Sequence, residues 1–358
     1  MNAHVQIVVI KGGILRYQEQ GLNSFVVICP LKRWSWLVLF CDFGDNVGSF
    51  IHALLTLSYL SVNPNSSEKK VFELMCFDFD SNQSSAEKMP VPFEVLAQSA
   101  AYQELWITDS KVTFSELAFG QQWVSDDFLV ILMTPESSDI EAISRQVYQQ
   151  ALSQARLLGF KSLIRTWNFF PRINDHENGL ERYQHFCVAR QDVLNHFPEF
   201  QAQNPAATAI GTHREENNFV FLFAKTKGKG LENNRQMSAW EYPPHYAPKQ
   251  PRFARAMWHS GLLICSGTAS VVGHETHHKG DVVKQFNESV LNVQTLLEQS
   301  EDKVEIHQGV FRFYLRNPDD IPQVLTCLAE SKINHYVVLA ADVCREDLLI
   351  ECEAVFQK

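Results

Sequence analysis

The closing stretch ADVCREDLLIECEAVF, residues 341–356, decides how the chain folds. As a helix it would hold Cys344 and Glu351 roughly 10.5 Å apart along the axis. As a strand preceded by a turn it could bring the two side chains together. Ile350, Cys352, Ala354 and Phe356 interleave with Glu351, Glu353 and Val355, a period of two with one apolar face. That pattern favours the strand. CREDLL then reads as the turn of a hairpin folded about residues 347–348, with Cys344 near Glu351. REDLLIECE is also rich in helix formers, so the helical alternative stays open on sequence alone.

Working outward, the C-terminal third reads strand, helix, strand, helix, strand: GLLICSGTASVVG, GDVVKQFNESVLNVQTLLEQ, VEIHQGVFRFYLRN, PDDIPQVLTCLAE and NHYVVLAADVC. Residues 139–225 show the same order. IEAISRQVYQQALSQARLLGF is helical, with Gly159 near its stop. KSLIRTWNFF is a strand and GLERYQHFCVARQDVLNHF a helix, followed by the strands PAATAIGT and NNFVFLFAK. The chain is expected to be an internal duplication. The fold class is α+β: two units, each a mixed β-sheet with helices packed on one face. The Glu351 face would point away from the helices, toward another sheet. The division is expected at residues 1–225 and 226–358, the second being the catalytic half. Residues 1–135 are divergent: VQIVVI, SFVVICPL and WSWLVLFCDF read as strands, SVNPNSSEKK and DSNQSSAEK as surface loops.

The bulk properties fit a globular protein of 358 residues, 45% hydrophobic and with a net charge of −10. That charge argues against nucleic-acid and anionic-membrane partners. The N-terminus lacks a signal-peptide pattern, and WSWLVLFC is too short to span a bilayer. Eight cysteines without a CxxC pair, most of them inside apolar runs, read as buried free thiols of a reducing, cytoplasmic compartment.

Four stretches could carry chemistry. HETHH (274–278) matches H-E-x-x-H literally, but a zinc protease needs that motif on a helix. Gly273 before it and Lys279-Gly280-Asp281 after it make it a loop, so no metal is assigned; a polar connection capping the next helix is the plainer reading. RTWNFFPRIN (165–174) places Arg165 on a strand, either as a solvent-facing edge residue or as a carboxylate binder. ENNRQMSAWEYPPHYAPKQPRFARA (232–256) is either an ordered connection or a site-building loop. Finally, Glu351 on an inner strand face, with Cys344 and the neighbouring Arg316, could be a carboxyl kept protonated as a general acid. A solvated edge Glu beside a buried Cys is the bland alternative. No GxGxxG, GxxxxGK[ST] or GxSxG stands in the context that nucleotide binding or serine hydrolysis needs.

RTWNFFPRIN, GLERYQHFCVARQDV, PAATAIGT, ENNRQMSAWEYP, SGTASVVGHETHHKGD and AADVCREDLLIECEA together resemble the chorismatase family over about residues 140–358. That family includes 3-hydroxybenzoate synthases and chorismate hydrolases, and is similar in fold to the Rid/YjgF (chorismate-mutase-like) proteins. The resemblance implies cleavage of the enolpyruvyl ether of chorismate, giving pyruvate and 3-hydroxybenzoate, with or without some 4-hydroxybenzoate. It implies no metal or organic cofactor, a place in secondary metabolism such as aryl polyene pigment formation, and a monomer or trimer. Glu351 matches the general acid. Cys344 matches the position that accompanies the hydroxybenzoate product, where the hydrolytic branch tends to carry a smaller residue. Arg165, Arg255 and Arg316 are expected to pair the substrate carboxylates, with Tyr242 lining the pocket. Two alternatives are a chorismate hydrolase giving a dihydroxycyclohexadiene carboxylate and a non-catalytic Rid-like binding protein. NHYVVLAADVC has no arginine before Arg345, unlike the Rid deaminases. Trp240 and Arg252 also depart from the family pattern.

Overall fold

The computed structural model describes residues 72–79, 88–99, 102–118, 120–300 and 304–357, and the backbone of Val5–Lys11, Ile14–Leu15, Ser24–Leu31 and Ser35–Asp42. The last four include the early strands read from the sequence. The loop reading of residues 61–70, and nearly all of that of 80–88, lies outside the described residues.

Local sequence rules set the helices. Ile140–Leu157 starts where the Asp139 carboxylate accepts the Ala142 N–H, and it stops before Gly159, whose φ of 80° only glycine adopts at little cost. Its buried face runs Ile143, Val147, Tyr148, Ala151, Ala155, the spacing of one helical stripe. Arg182–Leu194 follows. In the second half Val282–Gln299 is capped by Asp281, which accepts from the Lys284 N–H, and Ile321–Glu330 begins with proline in its first turn. The HETHH residues therefore do not cap this helix.

Among the sheets of the described residues, two large ones have matching order, and a third of four strands includes Tyr102–Thr108. The first runs Ala206–Thr212, Ser162–Pro171, Asn218–Ala224, Phe128–Met133, Gly120–Val124, Thr113–Leu117. The second runs His335–Ala340, Val310–Leu315, Ile350–Gln357, Leu262–Cys265, Ala256–His259, Lys229–Leu231. In each, only the first pair is parallel. The α+β class with helices on one face of each mixed sheet is thus as expected from the repeat. Each sheet is extended by the other half: Asp342–Val343 pairs with Ala206–Thr212, and Glu94–Gln98 pairs with His335–Ala340.

Packing explains the alternation in the closing stretch. Ile350, Cys352, Ala354 and Phe356 enter the core beneath Val282–Gln299 with Phe286, Phe311 and Phe313. The opposite faces of the two sheets meet in a central core that includes Trp167, Phe169, Val220, Leu222, Ile264 and Tyr314, joined by Phe77 and Trp106 from the N-terminal part. Ile350–Gln357 is therefore a central strand covered on both faces.

The hairpin expectation needs correction. Residues 350–357 are a strand, but the chain before them does not pair with it. Val310–Leu315 lies between His335–Ala340 and Ile350–Gln357. The chain crosses to the first sheet at Asp342–Val343, turns through residues 344–348 and returns.

Candidate active site

Period two puts Glu351 and Glu353 on the face that meets the other sheet, and both are nearly fully buried, at 5% and 4% exposure. The two carboxyls have opposite surroundings. Glu353 lies across the ladder from Arg312, which approaches it at 3.1 Å, and it also pairs with Arg165. Trp167 Nε1 donates to it at 3.0 Å and the Thr208 hydroxyl donates as well. Burial pushes its pKa up, but Arg165, Arg312 and these hydrogen bonds outweigh that and hold it below the ordinary value. Arg312 continues to Glu104, with Nε donating at 2.8 Å, and Trp106 Nε1 donates to the same carboxylate at 2.8 Å. Such a buried quartet is stable only because every charge is matched.

Glu351 stands across from Tyr314 on one side and Ala269 on the other. Its carboxyl occupies space that a side chain at residue 267 would take: a Cβ on Gly267 would lie 2.0 Å from Oε1. Burial, and next the nearby Glu353 charge, push its pKa up to about 8, against the pull of Arg165, Arg345 and Arg255. At neutral pH it carries a proton.

Glu351 opens into a cavity of about 670 Å³ between the two halves, a size suited to a small ligand. From the first half come Asn168, Thr208, Tyr183 and Arg190; from the second come Tyr242, Arg255, Gly267, Cys344 and Arg345. Cys344 is close enough to Glu351 that this carboxyl, after burial itself, drives its thiol well above the ordinary range. The thiol is therefore neutral. Arg255 Nη2 donates to the Tyr242 hydroxyl and to the Met237 carbonyl, both at 2.7 Å. Arg345 stacks its guanidinium 4.1 Å from the Tyr246 ring centre and donates to the His274 carbonyl at 2.9 Å. Among the described residues, Arg190, Arg255 and Arg345 have no carboxylate ion pair. Glu181, Glu275, Glu346 and Asp347 also line the cavity, but guanidiniums outside any ion pair remain available to an anionic group of a ligand.

The structure brings Glu351, Cys344, Arg255 and Tyr242 together around the cavity, but not Arg165 and Arg316. Arg165 faces inward to Glu353 behind Glu351. Arg316 braces the turn: it donates to the carbonyls of Leu348, Val343 and Arg345 at 2.9, 2.7 and 3.0 Å and pairs with Asp342 at 2.7 Å. In this structure neither lines the cavity; both guanidiniums are engaged by internal acceptors. The reason is that each had stronger internal acceptors than the sequence revealed. The HETHH residues form a small hairpin, Val271–Val272 with Glu275–Thr276, in which His274 meets the Tyr246 hydroxyl at 3.2 Å and His278 meets Glu288 at 3.2 Å. The two histidines serve different partners. Arg252 fastens the loop to Asn204 and the Gln201 carbonyl, each at 2.8 Å, away from the cavity lining.

Sequence reasoning missed Arg190, Arg345, Gly267 and Glu353. Arg190 had a legible signal: it sits among Phe186, Cys187 and Val193 on the buried side of Arg182–Leu194, where a solvated arginine does not belong.

Among known proteins, residues 104–223 match the family described as "Chorismatase FkbO/Hyg5-like, N-terminal". The match begins inside the divergent stretch 1–135. A 3-hydroxybenzoate synthase of Streptomyces hygroscopicus is 32% identical over 276 residues, 71% of this chain and 81% of that protein. A chorismatase of Streptomyces rapamycinicus is 34% identical over 256 residues, 66% of this chain and 77% of that one. A chorismatase crystal structure superposes with a TM-score of 0.70 at 27% identity, covering 83% of this chain and 96% of that chain. Shared identity at this level across most of both proteins, together with the same architecture, makes this chain a member of the chorismatase family.

Proposed function

We propose that the chain cleaves chorismate to pyruvate and 3-hydroxybenzoate, with Glu351 as general acid. The observation that carries this is a buried carboxyl, its pKa raised by burial, opening into a cavity whose lining includes Arg190, Arg255 and Arg345, none of them in an ion pair among the described residues. Chorismate offers two carboxylates and an enolpyruvyl ether. Arg190, Arg255 and Arg345 are the groups suited to the carboxylates, with the Tyr242 hydroxyl already bound to Arg255. Glu351 gives its proton to the enol methylene carbon, and positive charge develops at the ether carbon. The newly ionised Glu351 then stabilises that charge. Water adds to that carbon, and collapse of the hemiketal breaks its bond to the ether oxygen, releasing pyruvate and leaving that oxygen on the ring as a hydroxyl. Loss of the other ring hydroxyl together with a ring proton returns one water and gives the aromatic product, so this branch consumes no net water, whereas the dihydrodiol branch stops before that loss and consumes one molecule.

The neutral thiol of Cys344 supports a role in shaping and polarising the ring end of the cavity rather than in nucleophilic attack, which needs a thiolate. The presence of cysteine there, and the name of the Streptomyces hygroscopicus relative, favour the hydroxybenzoate product over the dihydrodiol. The repeated strand order supports residues 226–358 as the catalytic half and 1–225 as its complement. Among the described residues no helix is long and apolar enough to cross a membrane. The test is incubation of purified protein with chorismate in the presence of a chelator, with products separated by chromatography. Pyruvate with hydroxybenzoate supports the proposal, pyruvate with dihydrodiol overturns the product assignment, and no turnover overturns the reaction.

A further inference from the structure

The site poses an electrostatic problem. Three arginines are near enough to act on the Glu351 carboxyl: Arg165 from Ser162–Pro171, which is paired with Glu353, Arg255 from the loop entering Ala256–His259, and Arg345 from the 344–348 turn. Each favours the ionised carboxylate, and a general acid that has already lost its proton is useless. The other groups around it are Cys344 from the turn, Tyr314 across the ladder and Thr208 from Ala206–Thr212; Arg312 lies one position further along the ladder. Tyr314 and Cys344 are neutral, because burial drives both well above their ordinary ranges.

The opposing charge is Glu353, two residues along the same strand and on the same face. It cannot take up the proton itself, because Arg165 and Arg312 clamp it in the ionised form. Thr208 stands beside both carboxyls. Its hydroxyl donates to Glu353, and it lies 3.3 Å from the point where a Gly267 Cβ would also meet Glu351. Beyond Arg312, Glu104 from the N-terminal strand Tyr102–Thr108 matches the remaining cation. The quartet Glu104, Arg312, Glu353 and Arg165 holds two charges of each sign.

We propose that Glu353 is a positioning residue for the reaction: clamped by Arg165 and Arg312, and completed by Glu104 from the N-terminal part, it is the fixed negative charge that keeps Glu351 in its proton-bearing form. This gives the divergent N-terminal segment a part in catalysis without any contact with substrate. The inference rests on Glu351 being the acid.

The test separates the two ideas. Infrared difference titration of the whole protein follows the protonated-carboxyl band that disappears in Glu351→Gln, and needs no turnover. In Glu353→Gln its midpoint should fall by about one pH unit or more, the size expected for one full charge two residues along the same strand face in a protein interior. The alkaline limb of kcat should move down with it, while thermal melting reports whether the fold is kept. Should Glu353→Gln fail to fold, Glu104→Gln, on the far side of Arg312, should shift the midpoint in the same direction by less. An unmoved midpoint in a folded variant overturns the proposal. Absence of chorismate turnover in the wild type would instead overturn the assignment of the acid, and the band titration would still report on Glu353.

Discussion

Gly267→Ala tests how closely the position of the acid limits the rate. A Cβ at residue 267 would lie 2.0 Å from Glu351 Oε1 and 2.9 Å from its carboxyl carbon, while real Cβ contacts essentially never fall below 3.0 Å. The carboxyl must therefore give way by at least 1 Å, since 3.0 minus 2.0 leaves that much to open. The main chain has no objection to alanine, because Gly267 is not among the residues of positive φ. Its N–H still reaches the Ala207 carbonyl at 3.0 Å. The damage falls chiefly on the reacting group, with Thr208 Oγ1, 3.3 Å from the new Cβ, having to give by only a few tenths of an ångström. Misplacing a catalytic atom by about 1 Å costs on the order of 100-fold in rate, or about 2.7 kcal/mol of barrier. Steady-state pyruvate release should show kcat down by about that factor, with KM changed by less than about threefold because the carboxylate-binding arginines are untouched. Thermal melting should stay near wild type. A folded Gly267→Ala protein with wild-type kcat would refute the reasoning, since the acid would then tolerate a displacement the geometry forbids.

Activity should be carried by protonated Glu351: its pKa is raised to about 8, so kcat should hold below that value and fall as pH rises through it, and a profile flat to pH 10 would contradict this. Cys344→Ala should shift product from hydroxybenzoate toward dihydrodiol; an unaltered ratio on chromatography would remove the thiol from product control. Arg190→Met keeps the stem but deletes a cation that has no ion pair, and should raise KM roughly tenfold or more while leaving stability nearly intact. Arg316→Ala should chiefly destabilise, by about 1–3 kcal/mol in denaturant unfolding, because it leaves the carbonyls of the 344–348 turn without their donor. Unchanged stability with a raised KM would instead restore Arg316 to substrate binding.

Periodicity was enough to find the helices, the duplicated order and the turn of Glu351 away from the helices toward the other sheet, because each depends on local spacing. Two features did not depend on it. The crossing of Asp342–Val343 to the first sheet is set by which edge is vacant in three dimensions, and nothing in ADVCREDLL marks that edge. Arg165 and Arg316 read as substrate arginines because a sequence shows a guanidinium but not its acceptors; Glu353, nearly two hundred residues from Arg165, and the turn carbonyls became visible only on folding. Glu353 itself was in plain view, two residues from Glu351 on the same strand face. The pattern marked it as inward-facing without indicating that its environment would be the opposite of its neighbour's.

Doubling a unit should yield two mirror cavities, yet the two halves have diverged in their fitness for chemistry. In the first half, the strand corresponding to Ile350–Gln357 turns Val220, Leu222 and Ala224 toward the centre, and Arg165 lies across from Leu222 where Arg312 lies across from Glu353. One copy is apolar where the other carries carboxyls, and it lends its arginine to its sibling. A change at Val220 and one at Glu351 therefore have separate consequences, the first for packing and the second for the carboxyl pair, so equivalent positions of the two halves can vary independently.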